Sequence, residues 1–374
     1  MKILHIASFY GNVGDNASHR GFAEILDCVL GKGSYSIDRL EIRKAYRNYN
    51  GSDKLRFDDS FVELSSLYDL VLIGGGGFLD YWVEDSVTGT TIDIEERILK
   101  KISTPILISS IGSNPHRKVP EQNYTKFERF LACVRRSSNL SIALRNDGST
   151  NSLKCDFGDE ALTGLAEILD HGYFYSPSPE NSLKIDEEYV AINVTDDQLA
   201  MKGVLAGEDE WYYQELEGVV KYFHEKGLKI VLVPHVHQDV EAIGKVLGRI
   251  DTQLVRTAVI VAPCLQDDVG ADIIFNIYKN AKLVVASRYH ANVCSIKFGV
   301  PLIGLSPLPR IRYTHEQFLT SKSGVYVEKG FSKKIVEILE GDENLVVSRE
   351  KLNLAKEATL RFYRDYFRCE DDEF

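Results

Sequence analysis

The residues best suited to chemistry stand together in the segment Ser287-Arg288-Tyr289-His290. A guanidinium presents paired donors that match a carboxylate or a phosphate, and an imidazole can exchange a proton near neutral pH. An apolar run at residues 283–286 precedes the segment, and a helical pattern follows it. The sequence therefore predicts that these side chains lie at the carboxyl end of a buried parallel strand, the edge at which open α/β sheets bind ligands.

Two further cations, Arg310 and Arg312, follow the next predicted strand at residues 302–305. Several cations at one edge of an acidic protein indicate an anionic ligand. The alternative is structural: Arg288 would pair with a nearby acid, and His290 would only cap its helix. Because Arg288 leaves a predicted buried strand and His290 opens the following helix, we favour an anion site that also holds a proton donor.

The composition indicates a soluble protein with two hydrophobic cores. The chain has 374 residues, of which 44% are hydrophobic, and single cores stop growing at roughly 250–300 residues. Its net charge of −11 argues against a general nucleic-acid binder. The six cysteines include no C-x-x-C pair, so we expect reduced thiols in the cytoplasm. We expect no signal peptide and no membrane span, since no apolar run approaches roughly 20 residues.

A turn near the N-terminus is the second candidate for ligand binding. The first predicted strand, at residues 3–7, leads to Gly11, Asn12, Gly14 and Asp15, and a helical pattern follows. Such a turn can direct backbone N–H groups at a ligand, although the third glycine of the dinucleotide-binding fingerprint is missing. Asn12 and Asp15 are suited to binding a hydroxylated substrate or to shaping an Asx-type turn, and the residues alone leave both open.

Four consecutive glycines, Gly74, Gly75, Gly76 and Gly77, follow the predicted strand at residues 70–73. Glycine loses more conformational entropy on ordering than any other residue, so the run indicates close approach of something to the backbone. A ligand is the interpretation we favour, and a tight crossover from strand to helix is the alternative.

The alternation of apolar strands with amphipathic helical patterns predicts the α/β class. In the first half, the predicted strands are residues 3–7, 70–73, 105–110 and 140–144. In the second half, they are residues 189–194, 229–233, 258–261, 283–286 and 302–305. Because helical patterns separate the strands, we expect two Rossmann-like, doubly wound parallel sheets.

The best candidate for a linker is the segment at residues 175–182, which contains two prolines. We therefore predict an N-terminal domain at residues 1–178 and a C-terminal domain at residues 183–345. The last helical pattern, within residues 346–374, is expected to pack back on the N-terminal domain. The polar residues 45–61 are predicted to form a surface loop.

Other motifs exclude several classes of enzyme. His235-Val-His237-Gln-Asp239 resembles the spacing of some binuclear metal hydrolases, but Val240 stands where a further histidine would be needed. We therefore expect no metal site, with His235 forming hydrogen bonds at a strand end and His237 in a loop. The absence of a G-x-S-x-G elbow, a phosphate-loop lysine motif and H-E-x-x-H disfavours triad hydrolases, P-loop kinases and zincins.

Taken together, these motifs resemble the polysaccharide pyruvyl transferase family. The residues that carry the resemblance are Gly11-Asn-x-Gly14-Asp15, Gly74 to Gly77, Arg145 with Ser149, Pro234-His235, Ser287-Arg-Tyr-His290 and Gly299-Val-Pro301. The resemblance implies two Rossmann-like domains of glycosyltransferase type B that face a cleft. It also implies transfer of a carboxyethylidene group from phosphoenolpyruvate to a sugar, with release of phosphate and no further cofactor.

The resemblance also implies roles for individual residues. The catalytic residues would be His290, as proton donor, and Arg288, as a clamp on the donor. On the donor side we expect Arg288, Arg145, His235, Ser287, Arg310 and Arg312. On the acceptor side we expect Gly11, Asn12, Gly14, Asp15, Gly74, Gly75, Gly76 and Gly77. Asn146 and Asn16 stand where many members carry an acid, which removes negative charge from the expected site.

The expected acceptor is a sugar of a cell-surface polysaccharide or its precursor, free or lipid-linked. The basic and aromatic stretch at residues 361–368 suits contact with the inner face of the membrane or a biosynthetic complex, although packing on the first domain is the expected use. A type B glycosyltransferase with a nucleotide-sugar donor and a non-catalytic sugar- or anion-binding relative are the two alternatives. Nucleotide binding would favour the first, and ligand binding without phosphate release would favour the second.

Overall fold

The computed structural model describes residues 1–199, 201, 203–204, 207–341 and 345–368. These residues form two six-stranded sheets in which every strand pair is parallel. Helices flank both sheets, since parallel strands need crossover connections. The prediction of an α/β fold with two Rossmann-like sheets is confirmed.

The first sheet has the strand order β2-β1-β3-β4-β5-β6. Its strands are β1 Lys2–Ala7, β2 Ser36–Glu41, β3 Leu70–Gly74, β4 Ile106–Ile111, β5 Leu140–Arg145 and β6 Ala166–Ile168. Its connecting helices are α1 Val13–Leu30, α2 Asp59–Ser65, α3 Glu96–Leu99, α4 Glu121–Arg136 and α5 Ser149–Phe157. The central strands β3 and β4 are buried along their whole length, as expected for apolar runs covered on both faces.

The second sheet has the strand order β12-β11-β10-β7-β8-β9. Its strands are β7 Tyr189–Asn193, β8 Lys229–Leu232, β9 Val259–Val261, β10 Leu283–Ala286, β11 Leu302–Ser306 and β12 Gly324–Tyr326. Its helices are α6 Glu210–Glu225, α7 His237–Leu247, α8 Thr252–Ala258, α9 Asp267–Lys279, α10 Tyr289–Phe298, α11 Pro309–Phe318 and α12 Phe331–Glu340. The strand order reverses between β7 and β10, and ligands of open α/β sheets bind at the carboxyl ends of such a pair.

The chain forms two compact units that do not follow the linear order of the sequence. The first contains Met1–Phe9, Ala23–His171 and the described residues from Ala355 onward. The second contains Tyr10–Phe22 and the described part of Gly172–Leu354. The turn that follows β1 therefore groups with the second sheet, although in sequence it lies between two strands of the first.

The segment predicted as a linker is attached to the second unit. Tyr175 is fully buried and donates a hydrogen bond of 2.6 Å from its hydroxyl to Asp272 on α9. Asn181 donates to the other oxygen of Asp272 at 3.0 Å. Asn276 on the same helix donates to the carbonyl oxygens of Ser178 and Asn181. The segment thus packs along α9 and is held there by these hydrogen bonds.

The last helix, α13 Arg349–Phe367, contributes to the first unit through its C-terminal half. The Tyr363 side chain is fully buried, and its hydroxyl contacts Ser109 within β4 and the ring of His171. Thr359, one turn earlier, accepts a hydrogen bond of 3.1 Å from the backbone N–H of Leu169. Among the residues that the structure describes, no helix combines the length and apolarity needed to cross a membrane.

Candidate active site

The candidate site is built at the carboxyl ends of the central strands of the second sheet. Ala286, the last residue of β10, pairs with Asn193, the last residue of β7. The Asn193 side chain accepts a hydrogen bond of 2.7 Å from the backbone N–H of Arg288 and donates one of 2.9 Å to the carbonyl oxygen of Val233, just after β8. One buried amide thus links the ends of three adjacent strands and fixes the backbone where the predicted Ser287–His290 segment begins.

The Arg288 guanidinium is paired with two carboxylates. It donates to both oxygens of Asp239, at 3.2 and 2.5 Å, and it lies 2.9 Å from Asp197. Burial by itself lowers the pKa of Arg288, but Asp239 and then Asp197 outweigh this effect, so the pKa is raised. The side chain of Asp239 is fully buried, whereas that of Asp197 is 37% exposed. One of the two partners can therefore turn toward solvent, and the other cannot.

His235 is a fully buried residue of this cluster. Its backbone N–H donates to Asp239 at 2.9 Å, and its Nε2 lies 2.9 Å from the hydroxyl of Tyr278. Burial, followed by the nearby Arg288 and His290, lowers the pKa of His235 well below its ordinary value. A ring held in this way is neutral at pH 7 and acts through hydrogen bonding rather than through charge.

The H-x-H-x-D motif does not converge in space. His235 is bound to Tyr278, His237 is exposed at the start of α7, and Asp239 binds Arg288. In the described part of the chain, no group of three His, Cys, Asp or Glu residues is arranged to hold a metal ion.

His290 lies in the first turn of α10 and is buried, with 6% of its surface exposed. Its Nδ1 lies 3.8 Å from Oδ1 of Asp15, the last residue of the N-terminal turn defined above, where α1 begins. Gly14 packs directly under the ring, since a Cβ atom at this position would come within 2.6 Å of His290 Nδ1. The structure therefore brings Asp15 and Gly14, predicted on the acceptor side, into contact with the predicted proton donor.

The N-terminal turn is held by its own side chains. Gly11 has a φ of 83°, a conformation that side-chain-bearing residues rarely adopt. The Asn12 side chain accepts from the Gly14 N–H at 3.0 Å and donates to Asp15 Oδ1 at 3.2 Å. This is the Asx-type arrangement that was open from the sequence.

The remaining predicted donor residues separate into two groups. Ser287 is buried beside Arg288, and Arg310 lies with its Cζ 5.9 Å from the ring centroid of Tyr289. Arg312 is paired instead with Glu316, one turn along α11, and with the hydroxyl of Tyr326. Arg310 thus lies beside Tyr289, in the segment that contains His290.

The first sheet has a separate buried cluster around Arg145, the last residue of β5. Its guanidinium donates to Asp147 at 2.9 and 2.7 Å and lies 3.4 Å from Asp170. The other Asp147 oxygen accepts from the hydroxyl of Ser149 at 2.5 Å. Asn146 accepts a hydrogen bond of 2.9 Å from the Asp170 N–H. All five side chains belong to buried residues within the first unit.

Steric contacts within the first unit explain why several positions of the glycine run lack a side chain. A Cβ atom on Gly74 would overlap the backbone carbonyl of Ser109 on the neighbouring strand β4. A Cβ on Gly76 would come within 2.6 Å of the Phe78 ring, and Gly75 has a φ of 81°. The close approach predicted from the sequence is real, and the groups that approach belong to the protein itself, as in the crossover alternative.

Sequence reasoning did not identify the partners of Arg288 and His290. Asp239 was considered only within a metal motif, Asp197 was not assigned a role, and Asp15 was placed with the acceptor. A signal was present for the first two, because Asp197 follows the end of β7 and Asp239 follows the end of β8, the two strands next after β10 in the observed order. Using it requires the strand order, which the sequence alone does not provide.

A sequence profile described as polysaccharide pyruvyl transferase matches residues 12–309, more than half of the chain. The chain belongs to the polysaccharide pyruvyl transferase family. It is therefore a member of an enzyme family of transferases that act in polysaccharide biosynthesis, and the family implies a sugar or polysaccharide acceptor. A sequence search of curated proteins found no significant match.

Solved structures of similar fold include UDP-GlcNAc 2-epimerase from Methanocaldococcus jannaschii, with 12% identity and a TM-score of 0.58 over 98% of this chain and 100% of that one. The S. aureus MnaA-UDP co-structure has 11% identity and a TM-score of 0.57 over 100% of this chain and 98% of that one. UDP-GlcNAc 2-epimerase from Neisseria meningitidis bound to UDP-GlcNAc has 10% identity and a TM-score of 0.53 over 96% and 100%. At these identities the likeness shows the fold alone, and that fold is of glycosyltransferase type B.

Proposed function

We propose that this pyruvyl transferase family member transfers a carboxyethylidene group from phosphoenolpyruvate to two hydroxyls of a sugar, forming a ketal and releasing phosphate. The acceptor is a sugar of a cell-surface polysaccharide or its precursor. The observation that carries the proposal is His290 beside Arg288 at the switch point of the second sheet, in a chain whose family match includes both residues. We propose phosphoenolpyruvate as co-substrate, with no bound cofactor.

The reaction asks for a proton donor and for groups that bind anions. A proton adds to the methylene carbon of the enol phosphate, and positive charge develops at the carbon that bears the carboxylate and phosphate. One sugar hydroxyl attacks that carbon, phosphate leaves, and the second hydroxyl closes the ketal, with both hydroxyl protons released. An imidazole suits the first step because its pKa lies near the working pH, and cations suit the bound anions. His290 is the proposed acid.

Arg288 binds the donor by exchange of partners. Its guanidinium has five N–H donors, and the bidentate contact with fully buried Asp239 holds it in place. Asp197 contacts the remaining nitrogen and is 37% exposed, so a carboxylate or phosphate of the substrate can replace it while Arg288 stays paired. Arg310 adds a second cation beside Tyr289.

The acceptor and the place of reaction are also part of the proposal. We propose an acceptor that is free or lipid-linked, with the glycine run and the first sheet on the acceptor side. Phosphoenolpyruvate is a cytoplasmic metabolite, so we place the reaction in the cytoplasm, at the inner face of the membrane where the acceptor is lipid-linked. Tyr363 is buried, but exposed basic residues of the same stretch, such as Arg361 and Arg368, provide a contact for such a surface.

The test measures phosphate release from phosphoenolpyruvate with a panel of sugar acceptors. Substitution of the general acid, His290→Gln, should lower the rate by about 10²- to 10⁴-fold, the usual contribution of acid catalysis. The matched control is His237→Gln, which removes an exposed imidazole and should leave the rate unchanged. Full activity in His290→Gln would remove this residue from the role of acid.

The binding of donors separates the proposal from its alternatives. Phosphoenolpyruvate should raise the melting temperature of the wild-type protein, since a ligand that binds only the folded state stabilises it. Stabilisation by a nucleoside diphosphate and not by phosphoenolpyruvate would instead indicate a nucleotide-sugar glycosyltransferase. Stabilisation by phosphoenolpyruvate with no phosphate release for any acceptor would indicate a binding protein.

A further inference from the structure

We infer that Asp15 is a positioning residue for His290 and that the whole N-terminal turn serves the proton donor rather than the acceptor sugar. The inference rests on the proposed role of His290 as acid. The Asp15 carboxylate faces Nδ1 of the imidazole, so it favours a proton on Nδ1 and leaves Nε2 to carry the proton that is transferred.

The two groups face each other in a protected environment. Asp15 Oδ1 and His290 Nδ1 are 3.8 Å apart, and their side chains are 14% and 7% exposed. A negative charge at this distance attracts an N–H dipole at Nδ1, and the low exposure of both side chains limits screening by solvent.

Asn12 fixes the direction of the Asp15 carboxylate. Its side-chain nitrogen donates to Asp15 Oδ1 at 3.2 Å, and its backbone carbonyl accepts from the Asp15 N–H at 3.1 Å. The oxygen that faces His290 is thus the one that Asn12 holds. In the arrangement Asn12–Asp15–His290, Asn12 thus positions Asp15, and Asp15 positions the imidazole of His290.

Gly14 provides the space for the ring. A Cβ atom at this position would come within 2.6 Å of His290 Nδ1 and 2.8 Å of His290 Cβ. Rotation of the imidazole cannot relieve the contact with Cβ, because Cβ is fixed by the backbone of α10. The glycine and the acid of the turn therefore both fit the same histidine.

Contacts further along α1 also hold this part of the chain to the second unit. Arg20, further along α1, forms an ion pair with the buried carboxylate of Asp272 on α9. Tyr175 and Asn181 bind the same carboxylate, and Asn16 lies 3.5 Å from Asp268. These contacts hold the first turns of α1 beside α9, and α9 packs against α10, the helix that carries His290.

Other charged or titratable groups near His290 do not replace Asp15. Arg288, two residues earlier, is paired with Asp239 and Asp197. His235 is neutral, because burial and then the neighbouring Arg288 and His290 lower its pKa. Asp15 therefore supplies a negative charge beside the imidazole from a different element of the fold.

The test follows the His290 ring by NMR in protein labelled with ¹⁵N-histidine, without any substrate. The His290 signals are identified by their loss in His290→Gln. In Asp15→Asn, the Nδ1 signal should lose the shift of a protonated nitrogen at neutral pH, and the Nε2 signal should gain it. The matched control is Asp186→Asn, an exposed acid paired with Lys184, which should leave both readouts unchanged.

Two further variants guard against a failure of Asp15→Asn to fold. Asp15→Glu should restore most of the wild-type Nδ1 shift, and Asn12→Ala should change it by a smaller amount than Asp15→Asn. Identical Nδ1 and Nε2 shifts of His290 in wild type, Asp15→Asn and Asn12→Ala would overturn the inference.

Activity gives a separate readout. Phosphate release should be slower in Asp15→Asn than in wild type, since the imidazole is no longer held with Nδ1 toward the turn. If His290→Gln is fully active while the NMR result holds, the proposed acid role fails and the coupling of Asp15 to His290 stands. If the NMR result fails while His290→Gln is inactive, the role of Asp15 alone is overturned.

Discussion

Both sheets place an arginine at or just past the end of a central strand, and in both it contacts two aspartates. Arg145 pairs with Asp147 and Asp170, whose side chains are 2% and 0% exposed. Arg288 pairs with Asp239, which is fully buried, and with Asp197, which is 37% exposed. The two clusters have the same charges and differ in one partner that can reach solvent.

We propose that this difference separates a structural ion cluster in the first sheet from an anion-binding one in the second. In the first sheet, both carboxylates are sealed, so no anion can take the place of either without leaving a buried charge unpaired. In the second sheet, one carboxylate can be exchanged, and an imidazole follows two residues later with an acid of its own. We therefore propose that Arg145 stabilises the first sheet and that Arg288 binds an anion.

The largest effect is expected from removing the sealed arginine. Arg145→Met leaves Asp147 and Asp170 buried without their cation, so the free energy of unfolding should fall by about 3–5 kcal/mol. Urea denaturation measures the change, with Arg97→Met as a control, because Arg97 forms an exposed pair with Glu95. A stable Arg145→Met protein that has lost phosphate release would instead place Arg145 on the donor, as the family resemblance implies.

A second prediction concerns the stability of the protein at acid pH, because the second unit contains buried neutral imidazoles. Burial lowers the pKa of His315 to about 3, and the ring binds Ser323 and Asn292. The unfolded chain binds a proton near pH 6.5 and the folded chain does not, so acid favours unfolding. This stability is present above about pH 6.5 and is lost as the pH falls toward 3, by about 1.4 kcal/mol per pH unit.

Between pH 7 and pH 5, His315 should therefore account for a loss of about 2 kcal/mol in the free energy of unfolding. His315→Gln keeps a polar side chain and should remove this part of the pH dependence in urea denaturation. His237→Gln, at an exposed position, should not. An equal pH dependence in wild type and His315→Gln would contradict the assignment.

The smallest effect is the most specific to the comparison. If an anion replaces Asp197 on Arg288, then Asp197→Asn should tighten the binding of inorganic phosphate or phosphoenolpyruvate by about 3- to 10-fold. This change corresponds to about 1 kcal/mol, the usual contribution of a partly exposed ion pair. Titration calorimetry measures this change. The matched control is Asp170→Asn in the sealed cluster, which should leave anion binding unchanged. Weaker binding in Asp197→Asn would show that Asp197 supports the site rather than competing for it.

The sequence allowed prediction of the central strands and, among the four edge strands, only of β9. Apolar runs such as β3 and β10 were found because both of their faces are buried. The edge strand β2, with sequence SIDRLE, is mostly polar and was missed, as were the three-residue strands β6 and β12. A short or half-exposed strand has too few buried positions to leave a periodic signal.

The candidate site was predictable in part for the same reason. The position of Arg288 and His290 followed from the buried strand before them. Their partners did not, because Asp15 and Asp197 reach the site through strand order and through the grouping of the turn with the second unit. For the glycine run, the sequence predicted that some group comes close to the backbone. Only the fold shows that this group, at Gly74, is the neighbouring strand.

The buried hydroxyl of Tyr363 has a consequence for biosynthesis. It contacts Ser109 and His171, and the nearer of these in sequence, His171, precedes it by 192 residues. At about 5–20 residues per second, a ribosome needs roughly 10–40 s to add that length of chain. During this interval, the nascent first sheet exposes the apolar and polar surface that α13 later covers. We therefore expect the first unit to be a client for chaperones until the C-terminal helix emerges, even though its strands are synthesised first.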